Sequence, residues 1–165
     1  MLYLMIKPPS AALREIAARR AFYGLDDSYP ADRLHSTMLR LGDETLWPVA
    51  RLDQLRRLLG AISVEPFPVM FDLIAGNLLR GARGRPSAAA FHRLLQQKAE
   101  ACGVAIDHDF WLHLNLAYRG VAIAAARKID PVGWMVEEFL LIRSNHGHEL
   151  LDRWPLRQRQ YALAL

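Results

Sequence analysis

Two short apolar runs constrain this chain more than any other feature. One is Leu34-His35-Ser36-Thr37-Met38-Leu39-Arg40-Leu41-Gly42; the other, half a chain later, is Leu112-His113-Leu114-Asn115-Leu116-Ala117-Tyr118. Each is aliphatic enough for a buried strand, yet each carries a histidine and a neutral hydrogen-bonding residue two positions apart. In a strand, positions two apart point to the same face. His35 and Thr37 therefore project together, with Leu34, Ser36 and Met38 behind them. His113 projects with Asn115, and Leu112, Leu114 and Leu116 face the other way. Such strands need a packed layer behind them and an opening in front. Set side by side or across a cleft, they would bring two imidazoles and two neutral donors to one spot.

The surrounding pattern predicts mixed elements. Leu2 to Ile6 reads as a strand stopped by Lys7-Pro8-Pro9. Ser10 is expected to cap a helix with Leu13, Ile16, Ala17 and Ala21 on one face. Tyr23 to Asp32 reads as a loop and Leu34 to Leu41 as a strand. Pro48 to Leu59 reads as a second helix carrying Val49, Leu52, Leu55, Leu58 and Leu59. Phe67 to Ala75 and Leu78 to Ala82 form strands joined at Gly76-Asn77, a hairpin signal. Ser87 opens a third helix with Phe91, Leu94, Leu95, Ala99 and Cys102 at helical spacing, closed by Gly103. Phe110 to Tyr118 is a strand, Val121 to Ala125 a short one and Trp134 to Arg143 a long one, with Tyr161 to Leu165 a candidate edge strand. Strands adjacent in sequence mixed with three helices favour α+β over a regular parallel wind. The two histidine strands, each placed after a helix, suggest two related lobes, although the halves are too unlike to be called a repeat. One bilobal domain over residues 1–165 is expected.

Composition excludes several classes. With 52% hydrophobic and 23% charged residues the chain is globular, not disordered. No segment approaches the ~18 apolar residues of a membrane span, and the short apolar start lacks the basic region of a leader. A net charge of +4 and a pI near 9.6, carried mostly by arginine, suit phosphate-bearing partners without proving nucleic-acid binding. The single cysteine, Cys102, precludes an internal disulfide and suits a reducing compartment, so a cytoplasmic location is expected. A monomer is favoured.

The paired strands suit phosphodiester chemistry. Cleavage needs a base for the attacking oxygen and an acid for the leaving one. Imidazole, with an ordinary pKa of about 6.5, can be either near neutrality. The nonbridging phosphate oxygens gain charge and need donors, which a Thr hydroxyl or Asn amide supplies without adding a titrating group. The arrangement requires no metal and no cofactor. A lone His-x-Thr on a strand is more often structural than functional; two in matched strands shift the balance.

These residues resemble the two-histidine phosphoesterase superfamily, in its branch of 2'-5' RNA ligases, also called RNA 2',3'-cyclic phosphodiesterases. That family carries His-x-Thr-hydrophobic twice. His35-Ser36-Thr37-Met38 with Leu41-Gly42 is similar to its first motif, and His113-Leu114-Asn115-Leu116-Ala117 to its second. The opening strand into Pro8-Pro9, Phe139-Leu140-Leu141-Ile142-Arg143-Ser144 and Trp154-Pro155-Leu156 are similar too, so the likeness runs nearly the length of the chain. It implies two α+β lobes, each a mainly antiparallel sheet with helices, around a central cleft. It implies hydrolysis of a 2',3'-cyclic phosphate on RNA or a nucleotide to a 2'-phosphate, with reversible 2'-5' ligation conceivable. His113 would be the base for water and His35 the acid for the leaving 3'-oxygen, with Thr37 and Asn115 on the phosphate. Three departures stand out. Asn115 replaces the usual Thr or Ser, Tyr118 stands where many relatives have arginine, and Arg40 takes a usual aromatic position. An RNA- or nucleotide-binding module with weakened catalysis, or a related enzyme for another small phosphodiester, stays open as an alternative.

Arg40, Tyr118, Arg119 and Trp111 are candidates for RNA contact, with Arg119 on the face opposite Tyr118. The basic stretch Arg80 to Arg85 could meet RNA phosphates or be a solvated loop. His146, His148 and Glu149 invite a metal reading but are expected in a surface loop, with His108 and Asp109 in the same category. His92 is expected at the surface or boundary, and Cys102 in helix-end packing.

Overall fold

The computed structural model describes residues 1–81, 85–106, 109–120, 122–145 and 147–157. Among these, the elements run β1 (Leu2–Ile6), α1 (Ser10–Phe22), β2 (Ser36–Gly42), α2 (Val49–Gly60), β3 (Phe67–Gly76) and β4 (Leu78–Arg80). They continue as α3 (Arg85–Glu100), β5 (His113–Asn115), β6 (Ile123–Val136), β7 (Glu138–Ser144) and β8 (His148–Pro155). Short 3₁₀ turns precede β2 and α2. The strands form two four-stranded antiparallel sheets, β2-β1-β7-β8 and β5-β4-β3-β6. This is the expected α+β pair of lobes. Each histidine strand lies at the edge of its sheet, and the two edges touch.

The helices tie the lobes together. α1 packs on β6, while α3 touches both β2 of the first sheet and β3 of the second. Leu2, Leu4 and Ile6 of β1, Phe71 and Ile74 of β3, and Phe91 and Leu95 of α3 all belong to one buried apolar cluster. Each fully buried Leu of this kind stabilises the fold by ~2 kcal/mol. Pro131 is tolerated in β6 because that strand is a sheet edge.

Several local expectations are corrected. Pro9, not Ser10, occupies the N-cap of α1, with no side-chain cap. Ala17 and Ala21 face solvent, and the buried stripe is Ala12, Ile16 and Arg20. Arg20 is admitted because its Nη1 and Nη2 donate to the carbonyls of Tyr29 and Asp26, so it pins the Tyr23 to Asp32 loop. Val49 is exposed at the start of α2. Arg85 rather than Ser87 begins α3. The strand expected over Phe110 to Tyr118 shrinks to three residues because its partner β4 is only three long. The long strand expected over Trp134 to Arg143 is two strands: Glu137 is where the chain leaves one sheet for the other. β6 reaches back to Ile123, absorbing the short strand expected there. β8 was not anticipated, and Tyr161 to Leu165 lies outside the described residues. The Gly76-Asn77 hairpin forms as expected; Gly76 adopts φ +59°, which a side chain would strain. Among the described residues no helix is long and apolar enough to cross a membrane.

Candidate active site between the two lobes

The cleft is built from strand ends and the loops that follow them. On the first sheet β2 pairs with β1 so that Thr37 lies opposite Met5, and a bulge at Met38 then brings Leu39 opposite Leu4. Ser36 and Met38 go into the core while His35 and Thr37 stay half-buried on the other face. On the second sheet Leu114 is buried, and His113 and Asn115 flank it half-exposed. The alternation read from the sequence therefore holds in both strands.

A cleft of about 440 Å³ collects His35, Thr37, Asn115 and Tyr118 with Tyr3, Met5, Tyr29, Arg33, Ser144, Asn145, Gly147 and His148. His113 is not among its lining residues, although its charge bears on His35. The Ser36 hydroxyl, on the core side of β2, donates to the His113 carbonyl, so the two motif strands are linked directly. A buried hydroxyl–carbonyl bond of this kind contributes ~1 kcal/mol and sets the distance between the halves of the site.

The two histidines are held alike. Nδ1 of His35 lies 2.8 Å from the Arg33 carbonyl, and Nδ1 of His113 lies 2.7 Å from the Trp111 carbonyl, each two residues upstream. A carbonyl only accepts, so Nδ1 carries the proton in both neutral rings and Nε2 keeps its lone pair. Each ring can then take a proton on Nε2, or return one, without turning. Burial holds the proton affinity of His35 below that of a free imidazole; its bond to Arg33 opposes this, and Lys7 and His113 add to the lowering.

The neutral partners differ. The Thr37 hydroxyl has no hydrogen-bond partner among the described residues and is free for a ligand. The Asn115 amide donates to the Tyr118 hydroxyl at 3.3 Å. Tyr118 in turn packs its ring on Tyr29 of the opposite lobe, centroids 4.6 Å apart, and Tyr29 donates to the Arg33 carbonyl at 3.2 Å. Burial pushes the Tyr29 phenol well above its usual range, with Tyr118 adding to the effect, so it remains a neutral donor.

One site residue was misread from the sequence. His148 is not in a surface loop: it opens β8 opposite Ser144, and its ring packs edge-on against His35 with centroids 4.8 Å apart. Burial first, then the charges of His35, Lys7 and Arg33, bring its pKa down to about 4, so it is neutral in the working range. Its Nδ1 is buried and without a partner among the described residues. The signal was hidden because β8 carries no alternating apolar pattern. Arg33, between the expected loop and the expected strand, was likewise missed.

Other candidates fall elsewhere. Arg40 is exposed and lines a separate cavity with Met1, Leu46 and Ile106. Arg119 is exposed and acts on Asp26 rather than lining the cleft. Trp111 is 57% exposed under the Arg85 guanidinium, 5.3 Å from the ring centre. Arg80 is exposed on β4, and Arg83 lies outside the described residues. Glu149 bonds Arg143, while His108 and His146 lie outside the described residues and Asp109 is exposed. His92, far from being a surface residue, is buried, lies 2.6 Å from the Met38 carbonyl and stacks on Phe110, so it clamps α3 to β2. Cys102 is buried as expected. Among the described residues no group of three or more His, Cys, Asp or Glu could hold a metal. A larger groove of about 670 Å³ between α3 and the start of β3 is lined mainly by Val64, Pro66, Phe67, Phe91 and Leu94 and has no such chemistry.

No protein-family model and no curated protein sequence matches the chain. Solved structures do. Escherichia coli LigT in its apo form superposes with a TM-score of 0.74 at 25% identity, over 95% of this chain and 97% of that one. Its structural neighbours are thus LigT structures, of the 2'-5' RNA ligase type in the two-histidine phosphoesterase superfamily. LigT complexed with 3'-AMP gives the same score and identity over 95% of this chain and 98% of that one. The TT0787 protein of Thermus thermophilus matches at TM-score 0.69 and 17% identity over 94% and 97%, a likeness of fold alone. The two lobes, with a histidine strand at the meeting edge of each, match the two-lobed LigT fold, and these neighbours support a phosphoesterase-type enzyme.

Proposed function

We propose that the protein is a metal-independent phosphodiesterase that opens 2',3'-cyclic phosphate ends of RNA or nucleotides to 2'-phosphates, with reversible 2'-5' RNA ligation when a 5'-hydroxyl takes the place of water. The observation that carries this reading is the matched pair of imidazoles, each with Nδ1 tied to a carbonyl and Nε2 left for proton transfer, joined through Ser36. LigT's complex with 3'-AMP supports a nucleotide phosphate as the ligand class.

In this mechanism His113 Nε2 takes a proton from water as its oxygen attacks phosphorus. The phosphorus–O3' bond breaks, and His35, protonated at Nε2, returns a proton to the 3'-oxygen. Thr37 and Asn115 donate to the nonbridging oxygens as charge builds there. The low proton affinity of His35 in the empty site would by itself suit a base. A bound phosphate anion reverses that, because a nearby negative charge favours imidazolium. His35 is thereby charged when substrate is present, which is what a general acid requires.

The test is incubation of the purified protein, with chelator, against 2',3'-cyclic nucleotides and cyclic-phosphate-ended RNA. The expected product carries its phosphate on the 2'-oxygen at a rate unaffected by the chelator. A 3'-phosphate product, or no turnover, would overturn the reading.

A further inference from the structure

Beside the catalytic cleft lies a second cavity of about 230 Å³, lined by Arg33, Arg143, Asn145, Gly147, His148 and Glu149. It shares Arg33, Asn145, Gly147 and His148 with the cleft, so the two adjoin along one wall. The cationic side chains in and near the two cavities are unequally satisfied. Arg143 is held by Glu44 through Nε at 3.0 Å and by Glu149 through Nη1 at 2.9 Å. Lys7 donates to the Asp32 carbonyl at 2.8 Å. Arg33 forms no ion pair among the described residues, although its backbone carbonyl is fastened by both His35 and Tyr29. Its guanidinium passes close over Gly147: a side chain there would put its Cβ 3.2 Å from Nη2. The absence of a side chain at Gly147 thus keeps open the gap that the arginine spans.

An unpaired, half-buried guanidinium on a wall shared by two polar cavities calls for an anion, since its five donors match the oxygens of a phosphate. Its position favours a phosphate other than the scissile one. Arg33 lines the side cavity as well as the cleft, and the side cavity contains neither Thr37 nor Asn115, the two donors assigned to the reacting phosphate. We propose that Arg33 and the side cavity bind the phosphodiester one nucleotide upstream of the reacting end. This rests on the cyclic phosphodiesterase reading and narrows it: the preferred substrate is an RNA end, not a mononucleotide.

Two measurements test the subsite. In the first, kcat/KM is compared for 2',3'-cyclic AMP and for a diadenosine dinucleotide ending in a 2',3'-cyclic phosphate, in the wild type and in Arg33→Ala. The wild type should favour the dinucleotide about tenfold, as one charge-assisted contact allows. In Arg33→Ala that ratio should fall to near one, with Arg33→Lys between. The same ratio in both proteins overturns the proposal, including the case in which Arg33→Ala loses both substrates equally. A dinucleotide with a neutral methylphosphonate linkage should lose the preference in the wild type; retention of it also overturns the proposal. In the second, calorimetric affinities for 3'-AMP and for the dinucleotide bearing a 3'-phosphate are compared without turnover. An Arg33-dependent gain for the dinucleotide in a protein that hydrolyses neither cyclic substrate would keep the subsite and sink the catalytic reading. Turnover without any Arg33-dependent gain would do the reverse.

Discussion

The two halves of the cleft use one local device in different surroundings. Both present a histidine strand at a sheet edge, and both tie Nδ1 to the carbonyl two residues back. In the first half the ring is walled in by His148, faces Lys7, and has a free threonine hydroxyl beside it. In the second half His113 makes its carbonyl bond in a more exposed setting, and its neighbour Asn115 is already engaged with Tyr118. A near-symmetric pair becomes asymmetric in this way. Identical backbone bonds give both imidazoles the same tautomer, while burial holds down the proton affinity of His35.

Removal of either ring tests this pairing most severely. His35→Ala and His113→Ala should each lower kcat on a 2',3'-cyclic nucleotide by about 10³-fold or more, and the double variant should be little worse, because the pair acts as a unit. Thermal melts close to wild type would show the fold intact. Substantial activity in either single variant would end the two-histidine mechanism. Next in size are the neutral donors. Thr37→Val keeps shape and removes the free hydroxyl, and should cost about 10²-fold in kcat. Asn115→Thr should change kcat by no more than about threefold, because one neutral donor replaces another. A gain of about 10² or more would instead mark the second half as a decayed site and favour a binding module.

The gentlest contrast between the halves concerns pH. His148→Gln removes the ring that walls His35 from water, so the His35 proton affinity should rise toward its ordinary value. As the acid, His35 governs the alkaline limb of the rate profile, and that limb in kcat/KM should move to higher pH. An unmoved limb would mean that His148 does not set the environment of His35. Stability follows the same linkage. The pKa of His148 is depressed to about 4 from an ordinary 6.5, so the unfolded chain binds its proton first. Stability is full above that ordinary value and declines as pH falls toward 4. In His148→Gln the decline should be shallower by ~1–2 kcal/mol, less than the full shift implies because solvent reaches part of the ring. Urea denaturation across that range checks it.

Local chemistry alone made much of the molecule legible. The alternation in both histidine strands, the proline stop after β1, the Gly76-Asn77 turn and the helical spacing of Phe91, Leu95 and Ala99 depend on neighbours in sequence. Those signals sufficed for the α+β class, the two lobes and the pairing of His35 with His113 as candidates. What they missed shares one physical cause. Arg20 and His92 are polar residues that become core residues only because distant carbonyls receive them. The break at Glu137 exists only because the chain changes sheets there, and β5 is short only because β4 is. His148 and Arg33 join the site through a turn and a loop whose course no periodicity records. Which faces are apolar and which residues can exchange protons could be read from residue order, since both follow from side-chain type and a period of two. Which histidine is walled in, which arginine lacks a partner and how the two edges meet emerged only on packing. Burial, charge and distance between remote segments are properties of the folded chain.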